Sequence, residues 1–203
     1  MNEKIKQKGL FIVLYGVNGV GKTTQAKKLL EKINEAELLV EYIKFPYYDL
    51  LPTGQRINNY LREGNPEKLT AEQFQELCAE NRRDAEQMIK ERLSEGYVVI
   101  AEDWTYGGIV WGIATGLTEL RAREINKDFL KEDIAILFSG KSFAQGKEEV
   151  HKHEENDELL NDVSAQYLLM ADKEEWSVVE ANQREEEVQR DIWNIVSPKL
   201  SQL

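Results

Sequence analysis

Apolar runs of strand length alternate along this chain with stretches of helical spacing. Residues 10–15 (LFIVLY) form the first run and residues 24–33 the first helical stretch. Residues 38–45 predict a second strand, halted by Pro46. Residues 97–101, 134–138 and 176–180 predict a third, fourth and fifth. Strands of this length separated by helices give a mostly parallel five-stranded sheet, with helices on both faces in a three-layer α/β arrangement. Ligands then bind at the carboxyl ends of the strands. The best-marked helix follows Thr70. Thr70-Ala71-Glu72-Gln73 reads as a capping box, and Leu69 and Phe74 occupy hydrophobic-staple positions. This helix is expected to run to about Leu93 and stop at Gly96, with Phe74, Cys78 and Arg82 on one face.

The turn between the first strand and its helix carries the chemistry. Gly16-Val17-Asn18-Gly19-Val20-Gly21-Lys22-Thr23 fits the phosphate-binding pattern G-x-x-x-x-G-K-[ST] at every required position, in a strand–turn–helix setting. Glycines let the main chain curl around an anion, and the amides and the positive helix end face the phosphates. The expected fold is therefore that of the P-loop NTPases. Gly16, Asn18, Gly19, Val20, Gly21, Lys22, Thr23 and Thr24 are the candidate triphosphate residues. Lys22 would reach the β and γ phosphates, and the Thr23 hydroxyl would ligate Mg²⁺.

Composition narrows the rest. With 203 residues, no repeat and no low-complexity linker, the chain is read as one domain, 1–203. A net charge of −11 argues against general binding to nucleic acid or anionic membranes. Any phosphate site must be a local basic island. No apolar stretch approaches a membrane span, and residues 1–9 do not read as a secretory signal. Cys78 is the single cysteine, which excludes an internal disulfide. A cytoplasmic address is the expectation. Residues 140–158 are charged and poor in apolar positions, and they follow the fourth strand on the ligand side. They read either as a solvated loop or as a lid that closes over the triphosphate. His151, His153 and Glu154 in that stretch make a poor preformed metal site.

From the first strand to about Ile195 the chain resembles the thymidylate kinase family of nucleoside monophosphate kinases. The resemblance rests on several segments in matching order: Phe45-Pro46, Pro52-Thr53-Gly54 with its following helix, Asn81-Arg82, residues 97–111, the segment around His151-Lys152-His153-Glu154, and Tyr167. No Asn-Lys-x-Asp string for guanine occurs. The resemblance implies transfer of a phosphoryl group from MgATP to dTMP, giving dTDP and ADP, by a homodimer. It implies that Arg82 contacts the base, that Phe45 lines the acceptor pocket with Phe74 beside it, and that Asn18 meets the sugar or acceptor phosphate. Tyr106 and Trp111 read as pocket or core aromatics, Tyr106 being taken as an acceptor-site residue.

The chain also departs from the family pattern. Asp-Arg-Tyr becomes Glu102-Asp103-Trp104. Glu102 keeps a carboxylate at the strand end, where it can hold Mg²⁺ or orient the acceptor. Asp103 stands where relatives have an arginine beside the acceptor phosphate, and both acids are candidate catalytic residues. Cys78 replaces the stacking aromatic, and Tyr47 and Tyr48 follow Phe45-Pro46 where an arginine is common. Neither the phosphate loop nor the lid contains an arginine, so Lys152, with Lys147 nearby, is the candidate cation for the transferring group. A deoxynucleoside kinase with Glu102 as general base, and a nucleotide-binding protein with little turnover, are the alternatives.

Overall fold

A computed structural model describes residues 9–143 and 157–203. Five strands form one parallel sheet in the order β2-β3-β1-β4-β5: β1 (Leu10–Tyr15), β2 (Val40–Lys44), β3 (Val98–Glu102), β4 (Ile134–Ser139) and β5 (Ser177–Glu180). All six residues of the central strand β1 are buried, which is why its sequence is continuously apolar instead of alternating. The edge strand β5 buries only Val179 and leaves Val178 half exposed. Both faces are covered. Helix α1 (Lys22–Glu35) packs with α7 (Glu185–Leu200) on one side. On the other, α4 (Thr105–Ala114) contacts α3 (Ala71–Ser94), α5 (Glu119–Ile125) and α6 (Asp157–Lys173), while α2 (Thr53–Arg62) packs on α3.

Local sequence explains the element ends. Thr70 Oγ1 accepts from the Gln73 amide at 3.2 Å, and Gln73 Oε1 accepts from the Thr70 amide at 2.9 Å, so the capping box is closed in both directions. Leu69 and Phe74 lie in one apolar cluster with Ile57, Tyr60 and Leu61, and the rings of Tyr60 and Phe74 stack with centroids 3.8 Å apart. The helix ends at Ser94, before Gly96 at φ 88°. Strand β3 extends one residue beyond its apolar run. Its parallel register sets Glu102 beside Leu14 on one side and Lys44 on the other. The carboxyl ends of β1, β3 and β2 therefore place the phosphate loop, a carboxylate and a lysine side by side. No helix among the described residues is long and apolar enough to cross a membrane.

Candidate active site

The phosphate loop leaves β1 at Gly16 and enters α1 through Gly21, whose φ of 97° lies in the left-handed region. A Cβ on Gly16 would stand 2.8 Å from the Phe138 carbonyl oxygen, so this turn admits no side chain. Lys22 is buried and folds back along the loop. Its Nζ donates to the carbonyls of Gly16 at 2.6 Å and Val17 at 3.1 Å. The chain leaving β4 fastens the loop from outside: the Phe143 amide donates to Gly19 O at 2.9 Å and Ser142 Oγ to Asn18 O at 2.6 Å. Nothing in the motif announces that second clamp. Residues 18–25 line a cleft of about 650 Å³, while Gly16 and Val17 sit behind it.

Glu102 forms part of the floor and is 3% exposed. Thr23 Oγ1 lies 3.0 and 2.8 Å from its two carboxylate oxygens, Tyr42 donates at 2.7 Å, and Lys44 Nζ is 3.2 Å away. Burial works to push this carboxyl up. Lys22 and Lys44, with the hydrogen bonds from Tyr42 and Thr23, overcome that and hold it below the ordinary carboxylate value. Thr23 and Glu102 thus present hard oxygen donors at one point beside the loop, a set that fits Mg²⁺.

Asp103 follows at φ 60°, in the left-handed region that Asp tolerates better than most residues. Its amide continues the sheet by donating to Leu14 O at 3.0 Å while its carboxylate enters the cleft wall. Tyr167 of α6 donates to Oδ1 at 3.2 Å, and Lys22 Nζ lies 3.6 Å from Oδ2. Burial raises the Asp103 carboxyl, and the neighbouring Glu102 charge adds to the rise against Lys22. Adjacent carboxylates are thereby pushed in opposite directions by their surroundings.

The rest of the cleft is lined mainly by aromatic and apolar side chains. Phe45, Tyr48, Phe74, Trp104 and Trp111 line it together with Cys78 and Arg82. Arg82 is 4% exposed and donates from Nη2 to Asn126 Oδ1 at 2.7 Å. Gly108 of α4 abuts this guanidinium so closely that a Cβ there would overlap Nη2. Phe45 serves both wall and core, packing on the buried Trp104 with ring centroids 4.8 Å apart. Trp104 is fixed by its Nε1–H to Leu130 O at 2.9 Å. Asn81, beside Arg82, ties the segment from Tyr47 to Thr53 onto α3. It accepts from the Tyr47 amide at 2.8 Å, and its Nδ2 donates to Tyr47 O and to Thr53 Oγ1, each at 3.0 Å.

One expected site residue is corrected. Tyr106 does not line the cleft; it packs edge-on against Trp176 at 4.9 Å and Tyr15 at 5.9 Å behind the sheet's ligand edge. It sits three positions after Asp103 in the first turn of α4, and the face that turns toward the cleft carries Gly107, Gly108 and Trp111 instead. Cys78, at the expected stacking position, is buried, and burial pushes its thiol up to about 12. Lys152, His151, His153 and most of the expected lid lie outside the described residues, of which only Gly140 to Phe143 and residues 157–158 belong to it. Two cleft cations escaped the sequence reading, Lys44 and Arg62. The signal for Lys44 was its place immediately before Phe45-Pro46 at the end of a strand.

A phosphate loop, a pair of hard oxygen donors beside it and an apolar pocket in one cleft are the features of a P-loop kinase. Comparison with known proteins narrows the class. The thymidylate kinase family profile matches residues 14–192. The chain is 30% identical over 199 residues to a probable thymidylate kinase of Staphylothermus marinus, covering 95% of this chain and 96% of that one. It is 29% identical over 181 residues to a putative thymidylate kinase of Invertebrate iridescent virus 6, covering 88% and 84%. The solved thymidylate kinase of Candida albicans superposes with a TM-score of 0.81 at 22% identity, covering 97% and 94% of the two chains, which shows the shared fold. The chain belongs to the thymidylate kinase family, and it is an ATP-dependent nucleoside monophosphate kinase.

Proposed function

We propose that the chain moves the γ-phosphoryl group of ATP onto dTMP, giving ADP and dTDP, with donor and acceptor held in the two halves of the single cleft. The observation that carries this is the continuity of that cleft. Residues 18–25 line one part of it and Phe45, Phe74, Arg82 and Trp111 another, with Glu102 and Asp103 also in its wall. Phosphoryl transfer asks little covalent chemistry of a protein; it asks for alignment, charge neutralisation and exclusion of water. An oxygen of the dTMP phosphate attacks the γ phosphorus while the bond to the β-phosphate oxygen breaks and ADP leaves.

In this reading the amides of residues 18–24 cradle the triphosphate, and Lys22 leaves the Gly16 and Val17 carbonyls to neutralise the β and γ phosphates. Thr23 and Glu102 would hold Mg²⁺, which when bound offsets charge on the phosphates undergoing transfer. Tyr42 keeps Glu102 oriented by its 2.7 Å hydrogen bond. Arg82 presents its guanidinium to the base, and Phe45, Phe74 and Trp111 exclude water around it. Asn18 meets the acceptor from the loop, and Lys152 is the lid's candidate cation. A homodimer, which rests on the family resemblance, and a cytoplasmic address, which rests on the composition, belong to the same proposal; light scattering tests the first.

A second reading has one observation behind it. The Asp103 carboxylate lies in the cleft wall, where it favours a neutral hydroxyl acceptor over a phosphate. Purified protein assayed with MgATP against dTMP, dUMP, dCMP and thymidine separates the two. Turnover of dTMP in preference to the others is expected, reduced at least a hundredfold by Lys22→Ala. Phosphorylation of thymidine with none of dTMP would overturn the proposal in favour of the nucleoside.

A further inference from the structure

We infer that Lys44 is the residue that grips the acceptor phosphate, taking over a contact that Asp103 makes impossible at the end of β3. The inference rests on the reading of dTMP as acceptor and adds the residue that recognises its phosphate.

Charge sets the problem. The cleft floor holds Lys22, Lys44, Glu102 and Asp103, two cations against two anions, so it offers a dianionic acceptor no net attraction. Among the described residues four cations line the cleft: Lys22, Lys44, Arg62 and Arg82. Lys22 lies along the loop that serves the donor. Arg82 is bonded to Asn126 beneath Gly108, among the apolar and aromatic residues that enclose a base. Arg62 closes α2 beside Leu61, with its guanidinium laid over the Tyr48 ring at 4.8 Å and Nη1 bonded to Asn58 at 3.0 Å.

Lys44 is placed differently. It is the last residue of β2, and its register partner is Glu102, so its ammonium stands 3.2 Å from Glu102 Oε1 at the carboxyl edge of the sheet. The next residue is Phe45, a wall of the acceptor pocket. The Lys44 side chain is 48% exposed, whereas that of Glu102 is 5%. The lysine can therefore move toward an incoming anion while the carboxylate stays fixed. Glu102 can also release it: Tyr42 and Thr23 still hydrogen-bond the carboxylate after Lys44 turns away. A point charge on a flexible stem suits that exchange better than a planar guanidinium.

The test compares dTMP with thymidine, which has the same base and sugar and no phosphate, by calorimetry on the full chain without ATP or magnesium. Lys44→Gln is expected to weaken dTMP at least tenfold, equivalent to about 1.4 kcal/mol, and to leave thymidine unchanged. Lys44→Arg should recover dTMP to within a few-fold. In turnover the loss should appear in the KM for dTMP, with the KM for ATP held. Equal loss of dTMP and thymidine, or dTMP binding as in the wild type, would overturn the assignment. So would loss of the preference for dTMP over thymidine in Arg62→Gln with Lys44 left in place. Wild-type protein that fails to bind dTMP overturns the acceptor reading itself; wild-type binding that survives Lys44→Gln overturns Lys44 alone.

Discussion

Gly107 and Gly108 are neighbours in one helix, yet alanine at the two positions should act with opposite sign. In a helix interior, exchanging Gly for Ala stabilises by up to about 1 kcal/mol. At Gly107 the added Cβ would stand 3.4 Å from Asp103 Cβ and 3.7 Å from Tyr167 Oη, ordinary contacts that cost little. At Gly108 it would overlap Arg82 Nη2 and lie 2.7 Å from Asn126 Oδ1, between the two partners of a 2.7 Å hydrogen bond. Separating them removes a hydrogen bond to a charged group, about 1.5–3 kcal/mol. Arg82 cannot recover this elsewhere, since it is buried and its Nε already has no partner among the described residues. The propensity gain offsets part of that loss, leaving Gly108→Ala destabilised by about 0.5–2 kcal/mol and Gly107→Ala neutral or stabilised by up to about 1 kcal/mol. Urea unfolding of the two variants beside the wild type measures both signs. Gly108→Ala should also raise the KM for dTMP, because the guanidinium it displaces lines the part of the cleft proposed to take the acceptor. A Gly108→Ala protein as stable as Gly107→Ala, with unchanged dTMP kinetics, would refute the packing argument and the place given to Arg82.

Glu102 ties stability to acid. Its folded value is depressed, so the stability it contributes is present above the ordinary carboxylate range, near pH 4.3, and is lost as pH falls through the folded value. The stability difference between wild type and Glu102→Gln, measured in urea, should therefore narrow between pH 7 and pH 3.5; a constant difference would contradict the charge pairing. Asn81→Ala removes three hydrogen bonds from a side chain with no exposed surface, and about 2–4 kcal/mol is the expected loss. Because two of them hold Tyr47 beside the acceptor wall, the KM for dTMP should rise more than that for ATP, which parallel saturation curves would show.

The inner strands β1, β3 and β4 were legible because strands buried on both faces must be apolar nearly throughout, while the partly exposed edge strands β2 and β5 showed as shorter apolar runs between helical stretches. The capping box at Thr70 was equally legible, since its two hydrogen bonds join residues three apart. The phosphate loop could be read from one local motif. The apolar half of the cleft could not, because it is assembled by contacts between distant residues. Asn81 reaches Tyr47 across 34 positions, Arg82 reaches Asn126 across 44, and Asp103 meets Tyr167 across 64. Tyr106 shows the same limit from the other side. An aromatic three residues beyond a site residue points wherever the helix phase takes it, and here that is toward Trp176. Helix α4 was obscured by its three glycines, Gly107, Gly108 and Gly112, and α5 by its length of only seven residues.

Asp103 is the departure that most invites the idea of a damaged site, and its surroundings argue against decay. A surface left free to drift would not keep a carboxylate in the left-handed region, bonded to a tyrosine from a distant helix and facing the loop lysine. The floor is instead assembled as two crossed pairs, Lys44 with Glu102 and Lys22 with Asp103. Each lysine also lies where a phosphate would, one beside the donor loop and one beside the acceptor wall. Before substrates arrive the pairs neutralise one another and keep four charged groups compatible with a partly buried floor. Once phosphates enter, both lysines can exchange a carboxylate for a substrate oxygen, and hydrogen bonds from Tyr167 to Asp103 and from Tyr42 and Thr23 to Glu102 remain with the acids. An acid at the position of an arginine is then consistent with catalysis, because the cation has moved one strand over, to the end of β2.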